Sequence, residues 1–220
     1  MASTAQAFVL VSYDMETMTT SANPDINRLA EPSLINANIT AGDLASFHNG
    51  SSNSGDFGQQ NEFPAESENN WNTFSHRALD GTPFWQFTVT PEPEFTMSFA
   101  SLRFDAFARM NLAGGTAEVD YVIRWDVNNF ESVLATVSGP QANTTDREVI
   151  VTGLTADLSA LPDRTEATTF RIEVINQGGT NGTWTQRGGG IDNLTLNAIP
   201  EPTSALLAGL GLLALLRRKR

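Results

Sequence analysis

The sequence predicts an all-β protein, a two-sheet sandwich of the jelly-roll type with long loops. Eight or so short segments alternate apolar and polar residues with a period of two, and turn-forming residues separate them. No segment shows the 3.6-residue periodicity of an amphipathic helix. Long crossing loops favour a jelly roll, and an immunoglobulin-like Greek key is the second architecture that fits the same pattern.

The first strand is predicted at residues 8–13, FVLVSY, where β-branched and aromatic residues run up to Asp14. From Met15 to about Arg77 the chain is polar and rich in Ser, Asn, Thr, Gly and Asp. Apolar residues are scattered through this stretch as if to anchor it. We therefore predict a compact domain with long loops and short strands in this stretch. Loops of this kind often carry function.

From Phe84 the alternation becomes regular, and FWQFTVT reads as one strand with Trp85 in the core. The parity of apolar residues slips between Phe99 and Leu102, which predicts a bulge at Ala100-Ser101. Trp125 is also predicted to lie in the core. Further strands are predicted at Glu118–Asp126, Ser132–Val137, Glu148–Thr152 and Thr168–Ile175, and in the closing segment IDNLTLNAI.

The last twenty-two residues, Ile199–Arg220, have three parts in a fixed order. A polar opening is followed by the apolar run Ala205–Leu216 and a basic cluster. As a short hydrophobic helix the run would measure only ~18 Å, against ~30 Å for the hydrocarbon core of a bilayer. It is nevertheless apolar on all sides and stops in four cations, which favours a membrane hook over a buried helix. The opening is Pro200, Glu201 and Pro202, and the basic stop is Arg217, Arg218, Lys219 and Arg220.

This order resembles the PEP-CTERM sorting signal of Gram-negative bacteria. The resemblance covers Ile199–Arg220 and implies an exported protein that its tail holds in the inner membrane. It also implies processing near the Pro-Glu-Pro motif by an exosortase, and a link with exopolysaccharide and biofilm production. The same letters at Pro91-Glu92-Pro93 precede a strand-like run, so we predict a turn there.

Three segments follow from these observations. Residues 1–7 are interpreted as the remnant of a signal peptide, because Ala5-Gln6-Ala7 has the small-x-small form of a cleavage site. Residues 8–198 form the predicted sandwich, and residues 199–220 form the sorting and anchor segment. The expected route leads from an inner-membrane-anchored intermediate to the cell surface or the extracellular matrix. The alternative is that Met1 is the true start and the protein is not exported.

Composition excludes several classes of protein. The chain has no cysteine, which rules out a disulfide scaffold, a thiol nucleophile and thiolate zinc sites. The formal net charge is −12, so the surface repels phosphate backbones and nucleic acid is not an expected partner.

Asp192 is the most informative residue of the closing strand. It shares parity with Leu194 and Leu196, so it is predicted on the core-facing side, where a carboxylate must be paired, hydrogen-bonded or metal-bound. The segment GGGIDNLTL resembles the last strand of galactose-binding-like jelly rolls. That resemblance implies a structural Ca²⁺ held by Asp192 together with Asp14 and Glu16, whose hard oxygen ligands suit the ion. The alternative is that Asp192 caps neighbouring backbone amides.

No catalytic residues are predicted. His48 and His76 lie in polar segments without a partner motif, and no nucleotide-binding or nucleophile motif occurs. We therefore expect a non-enzymatic protein that binds polysaccharide or another extracellular-matrix component, with Trp71 and Trp184 in polar loops as the candidate sugar-stacking residues. The alternatives are a structural matrix protein without a small ligand and, third, a carboxylate-based glycan hydrolase.

Overall fold

The computed structural model describes residues 7–15, 18–20, 26–47, 57–60, 71–76, 84–110, 116–143, 148–176 and 187–199. Within these ranges the chain forms fifteen strands and one short 3-10 helix at Asp126–Asn128. The strands are β1 (Phe8–Tyr13), β2 (Thr19–Thr20), β3 (Ile26–Ala30), β4 (Leu34–Ile35), β5 (Ile39–Ala41), β6 (Leu44–Phe47), β7 (Phe57–Gln60), β8 (Trp71–His76), β9 (Phe84–Pro91), β10 (Phe99–Met110), β11 (Thr116–Trp125), β12 (Val133–Asn143), β13 (Glu148–Asp157), β14 (Thr168–Asn176) and β15 (Arg187–Ala198).

Two antiparallel sheets face each other. The first runs in the order β13-β10-β15-β1-β4, with β8 also paired to β15 and β7 paired to β8. The second runs in the order β12-β11-β14-β9-β6-β3-β2, with β5 also paired to β9. Because β9 to β15 alternate between the sheets except at the β11–β12 hairpin, the chain crosses the sandwich repeatedly. The predicted all-β jelly-roll sandwich is confirmed.

Aromatic rings fill the space between the sheets. Trp85 and Trp125 are buried, as predicted from their parity. Phe104 of β10 meets Tyr121 of β11 edge-on with ring centroids 5.1 Å apart, and the Tyr121 hydroxyl donates a hydrogen bond to the Gly190 carbonyl oxygen at 3.4 Å. Buried rings of this size contribute large apolar areas and orient one sheet on the other.

Two buried tyrosines make the sandwich sensitive to alkaline pH. The Tyr13 hydroxyl donates to the Gly42 carbonyl oxygen at 2.6 Å. Burial raises the pKa of both Tyr13 and Tyr121 above the usual value, and Asp43 and Asp120 respectively add to the rise. Since the unfolded chain ionises first, the stability from these groups is present below a pH of about 10 and is lost as pH rises above it.

The predicted bulge at Ala100-Ser101 is confirmed. Phe99 pairs with Ala198 and Ser101 pairs with Asn197, so Ala100 is an extra residue on β10. The turn predicted at Pro91-Glu92-Pro93 is also present, because the Phe95 N–H donates to the Glu92 carbonyl oxygen at 3.0 Å.

Asp105 lies between two further bulges, one on each neighbouring strand. On β15 the register shifts between the pairs of Arg103 and Asp105, and on β13 it shifts between the pairs of Phe104 and Ala106. The Asp105 carboxylate closes both bulges. Its Oδ1 accepts the Gly153 N–H at 2.6 Å, and its Oδ2 accepts an amide hydrogen from Asn193 Nδ2 at 2.9 Å.

Both bulged residues have left-handed backbones. Gly153 has φ = 69° and Asn193 has φ = 49°. Glycine and asparagine tolerate this region better than other residues do, so the sequence supplies suitable residues on both sides of Asp105.

We predict that Asp105→Ala lowers the free energy of unfolding by about 2–3 kcal/mol, because two donors lose a charged acceptor. Denaturant unfolding of the full chain measures this change. The control is Glu166→Ala, whose ion pair with Arg164 is exposed, with an expected change within about 0.5 kcal/mol. Equal losses in the two variants would contradict the role given to Asp105.

Candidate functional site

Four planar side chains form a continuous stack on the outer face of the second sheet. The rings of Phe47 and Phe84 are stacked with centroids 4.8 Å apart and planes 13° apart. The Arg171 guanidinium carbon lies 4.2 Å from the Phe84 ring centroid and 3.8 Å from the Phe130 ring centroid. We call Phe47, Phe84, Arg171 and Phe130 the aromatic–arginine column.

The column follows the strand order of the sheet. Phe47 belongs to β6, Phe84 to β9 and Arg171 to β14, and these strands are consecutive neighbours. Phe130 lies in the loop after β11, the next strand. Because Phe47 and Arg171 come from strands on opposite sides of β9, they cover opposite faces of the Phe84 ring. Three strand spacings of ~4.8 Å give the column a length of about 14 Å.

Alternation along the strands places these residues outside the core. Phe84 is half-buried, whereas Trp85 and Phe87 of the same strand are buried. Arg171 lies between the buried residues Phe170 and Ile172 of β14. In a strand, neighbouring side chains point to opposite faces, so the core residues and the column residues come from the same short segments.

Polar side chains frame the column. Gln86 Oε1 accepts a hydrogen bond from Arg171 Nη2 at 3.2 Å. Arg124 Nε donates to Glu173 Oε2 at 2.7 Å, and Arg171 Nη1 lies 3.7 Å from Glu173 Oε1. The side chains of Arg124, Glu173 and Arg171 remain 21%, 16% and 24% exposed, so each is partly accessible to solvent.

Two cations and one carboxylate meet here, in a chain whose net charge is −12. Partial burial lowers the pKa of the Arg171 guanidinium, and the neighbouring Glu173 carboxylate opposes that effect. An arginine is protonated at any physiological pH, so Arg171 is a fixed charge between two rings. A cation between aromatic faces is attracted to both by the ring quadrupoles.

Phe130 is held in a strained backbone conformation. Its φ is 62°, and that of the preceding Asn129 is 58°. The left-handed region is unusual for a bulky residue and costs roughly 1–2 kcal/mol. The Phe130 N–H donates to the Trp125 carbonyl oxygen at 3.1 Å, and Arg124 Nη1 donates to the carbonyl oxygens of Phe130 and Glu131 at 3.3 and 2.9 Å. These bonds hold the turn that brings the ring onto Arg171.

The sequence did not predict this column. The available signal was a phenylalanine, Phe84, that shares the outward parity of Gln86 in the strand FWQFTVT. The predicted ligand residues cannot be compared with it, because Trp184 and the side chain of Trp71 lie outside the described residues. The backbone of Trp71 is in β8, opposite Gln60 of β7. The ligand role of both tryptophans stays a prediction.

Asp192 is buried, but the β15 bulge changes the face to which it belongs. Ile191 and Leu194 are both fully buried core residues. Two residues lie between them, whereas regular strand alternation leaves only one. Asp192 pairs with Asp105 and therefore lies on the outer side of the first sheet, contrary to the core-facing side expected from its parity with Leu194. Its Oδ1 accepts the N–H of Asn193 at 2.7 Å, which is the amide-capping arrangement given above as the alternative to calcium.

Two residues of the predicted calcium site, Asp14 and Asp192, lie in the described part of the chain. Tyr13 pairs with Leu194, so Asp14 follows on the side of Asn193 and Asp192, while Glu16 lies outside the described residues. Asn193 Nδ2 contacts the carboxylates of Asp105 and Asp192 at 2.9 and 3.2 Å. Across the described ranges, no group of three or more His, Cys, Asp or Glu side chains is arranged to hold a metal ion. The three-residue calcium site stays a prediction.

The fold and the column define an all-β sandwich protein with an aromatic and cationic outer face. Its residues 198–220 match the PEP-CTERM protein-sorting motif, which confirms the resemblance drawn from Ile199–Arg220. The chain therefore carries a signal that indicates export and membrane-anchored processing in Gram-negative bacteria, with an exosortase as the sorting partner. The conformation of residues 200–220 lies outside the described part. Among the described residues, no helix has the length and apolar character needed to span a membrane.

Similar solved structures are distant. The K1 cleaved adhesin domain of Lys-gingipain from Porphyromonas gingivalis W83 is 11% identical, with a TM-score of 0.40, over 85% of this chain and 96% of that domain. The K3 cleaved adhesin domain of the same protein is 10% identical, with a TM-score of 0.39, over 86% and 98%. The structure of the infectious bursal disease virus Gt strain is 12% identical, with a TM-score of 0.25, over 90% of this chain and 54% of that one. No curated protein matches the sequence.

We predict that Phe130→Gly is more stable than Phe130→Ala by about 1 kcal/mol, because both lose the ring but only glycine adopts a positive φ without strain. Denaturant unfolding of both variants measures the difference. At an unstrained position the order reverses, since alanine restricts the unfolded chain more than glycine does. A more stable alanine variant would therefore show that the backbone of Phe130 is not left-handed.

Proposed function

We propose that this protein is an exported, envelope- or surface-associated, non-enzymatic protein that binds polysaccharide or another extracellular-matrix component on the aromatic–arginine column. The observation that carries the proposal is the stack of three phenylalanine rings and one guanidinium, framed by partly exposed Gln86, Arg124 and Glu173. Both faces of the Phe84 ring are covered within the column, so sugar C–H groups would meet ring edges and the ends of the column at Phe47 and Phe130. Amide, guanidinium and carboxylate groups would bind the sugar hydroxyls.

The shape of the site supports an extended ligand. Phe47, Phe84 and Arg171 lie on three neighbouring strands that hold them in register, and Phe130 extends the row to about 14 Å from the loop after the next strand, β11. A linear polymer can lie along such a row and contact several groups at once, whereas a small compact ligand would touch only one or two. Binding groups on strands are also positioned more rigidly than groups on loops.

A second argument supports a non-enzymatic protein. Asp105 and Asp192 oppose each other on adjacent strands, and a glycan hydrolase would need two such carboxylates. Asp192 is completely buried, however, and the Asn193 amide contacts both carboxylates. The Asn193 side-chain amide donates to both acids, so the pair does not favour the hydrolase.

The sorting motif supports the proposed location. The PEP-CTERM match gives the protein an export signal and a membrane-anchored stage. We propose that the inner-membrane intermediate precedes release to the cell surface or the extracellular matrix, where polysaccharide is available. A structural matrix protein without a ligand would have the same route, and ligand binding separates the two.

We predict that at least one acidic or neutral bacterial exopolysaccharide raises the thermal unfolding midpoint of the full chain in mild detergent. A ligand at a hundredfold excess over its Kd adds about 2.7 kcal/mol to the free energy of unfolding. For a chain of this size that corresponds to a shift of about 5–10 °C. Arg171→Gln removes the charge from the centre of the column and is expected to weaken binding about tenfold, or ~1.4 kcal/mol.

The matched control is Arg103→Gln, which removes an equally charged but exposed arginine from the first sheet. Its binding should equal that of the unchanged protein. If both arginine variants lose affinity equally, the interaction is general electrostatic attraction and the column is not the site. If no polysaccharide raises the midpoint, the protein is better described as a structural matrix component.

We also propose a structural Ca²⁺ near Asp14 and Asp192, with Glu16 completing its acidic ligands. Because a metal that binds only the folded state stabilises it, EDTA should lower the unfolding midpoint and added Ca²⁺ should restore it. Asp14→Asn should remove most of this Ca²⁺ dependence. If the midpoint is the same in EDTA and in Ca²⁺, the calcium proposal is wrong and Asp192 accepts hydrogen bonds such as that from the Asn193 N–H.

A further inference from the structure

The last residues of β15 are fixed tightly in the sandwich. Ala198 pairs with Phe8 on one side and Phe99 on the other, and it is 1% exposed. The next residue, Ile199, donates its N–H to the Ser98 carbonyl oxygen at 2.8 Å. Hydrogen bonds on both flanks and burial therefore hold the chain in place up to Ile199.

The sorting motif follows without a spacer. Pro200 is the next residue, and only residues 200–204 separate Ile199 from the apolar run that begins at Ala205. Five residues span at most about 18 Å at ~3.6 Å per residue.

We infer that the end of the sandwich at which β15 terminates is a membrane-proximal surface, and that its partner is the lipid bilayer that holds the tail. This inference rests on the anchoring part of the proposed function and is independent of the polysaccharide. The same end carries the turn after β13, because the Leu158 N–H donates to the Ala100 carbonyl oxygen at 2.9 Å and Ser98 Oγ donates to Asp163 Oδ1 at 2.6 Å.

The short connection, and not charge, orients the sandwich. Residues 200–220 hold four of the 13 Lys and Arg and one of the 25 acidic residues, which leaves nine cations and 24 acids in the rest of the chain. The end at which β15 terminates also carries the exposed acids Asp157 and Asp163, so anionic headgroups within about one Debye length, ~8–10 Å, repel this end as well. The tail therefore holds this end near the bilayer against the repulsion.

A sandwich whose β15 end faces the membrane leaves the column accessible. The column lies on the outer face of the second sheet and runs across the strands, not along them. With β15 directed at the membrane, that face is a flank of the anchored sandwich. A polymer can therefore reach it while the tail is still inserted.

The absence of cysteine allows a direct test with single labels. Ile150→Cys and Ala160→Cys place a fluorophore at two exposed positions of one strand and its following turn. Ile150 lies seven residues before Asp157, the last residue of β13, so the labels differ in height by about 23 Å or more. The labelled full chains are reconstituted into vesicles of phosphatidylethanolamine and phosphatidylglycerol that contain a headgroup-attached quencher.

We expect the Ala160→Cys label to be quenched about threefold or more relative to the Ile150→Cys label, because only the former lies near the bilayer. Equal quenching, or stronger quenching at position 150, would overturn the orientation. Failure of the full chain to float with vesicles would overturn the anchoring itself, whatever the result with polysaccharides.

A spacer variant tests whether the short connection is the cause. About thirty Gly and Ser residues inserted between Ile199 and Pro200 form a flexible coil with an end-to-end distance of roughly 30 Å. The difference between the two labels should then disappear, because the body can turn freely. A difference that survives the spacer would mean that adhesion of the body orients it, and would overturn the inference.

Discussion

The central position of β15 in the first sheet is the constraint on which the rest of the structure depends. This strand hydrogen-bonds to β10 along one edge and to β1 and β8 along the other, so it joins the two ends of the described chain. The strand nearest the C-terminus is thereby enclosed by earlier strands. Near its start, the Gly190 carbonyl oxygen accepts a hydrogen bond from the buried Tyr121 hydroxyl. Its end at Ala198 fixes the position from which the sorting motif continues. A change in the register of β15 would alter the core, the acidic cluster and the tail together.

Asp105 fixes that register. Its carboxylate closes bulges in β13 and β15, and both bulged residues have left-handed backbones that the sequence supplies as glycine and asparagine. Asp192 lies on the outer side of the sheet because of the same bulge. A carboxylate that is fully buried yet outside the core needs partners nearby, and the Asn193 amide is one of them. The left-handed backbone of Asn193 and the outer position of Asp192 are therefore two consequences of the extra residue in β15.

In the second sheet, favourable stacking is combined with backbone strain. The column joins rings and a guanidinium whose stacking is favourable, but Phe130 adopts a backbone conformation that costs roughly 1–2 kcal/mol. Hydrogen bonds from Arg124 to the turn hold it there. This strain persists at a half-buried aromatic residue that lies next to a cation in an acidic protein. Stability alone would favour glycine or asparagine at that position.

The sequence by itself determined the features that depend on neighbouring residues. Period-two alternation predicted the strands, the buried tryptophans Trp85 and Trp125, and the bulge at Ala100, and the order of residues in the tail predicted the sorting motif. Alternation states which side of a sheet a residue occupies, but not which strand lies next to it. Only the tertiary structure brought Phe47, Phe84, Arg171 and Phe130 together, because they come from segments far apart in the chain. Only the structure decided the face of Asp192, because its strand contains a bulge that is held by a hydrogen bond from Asn193 to Asp105 on another strand.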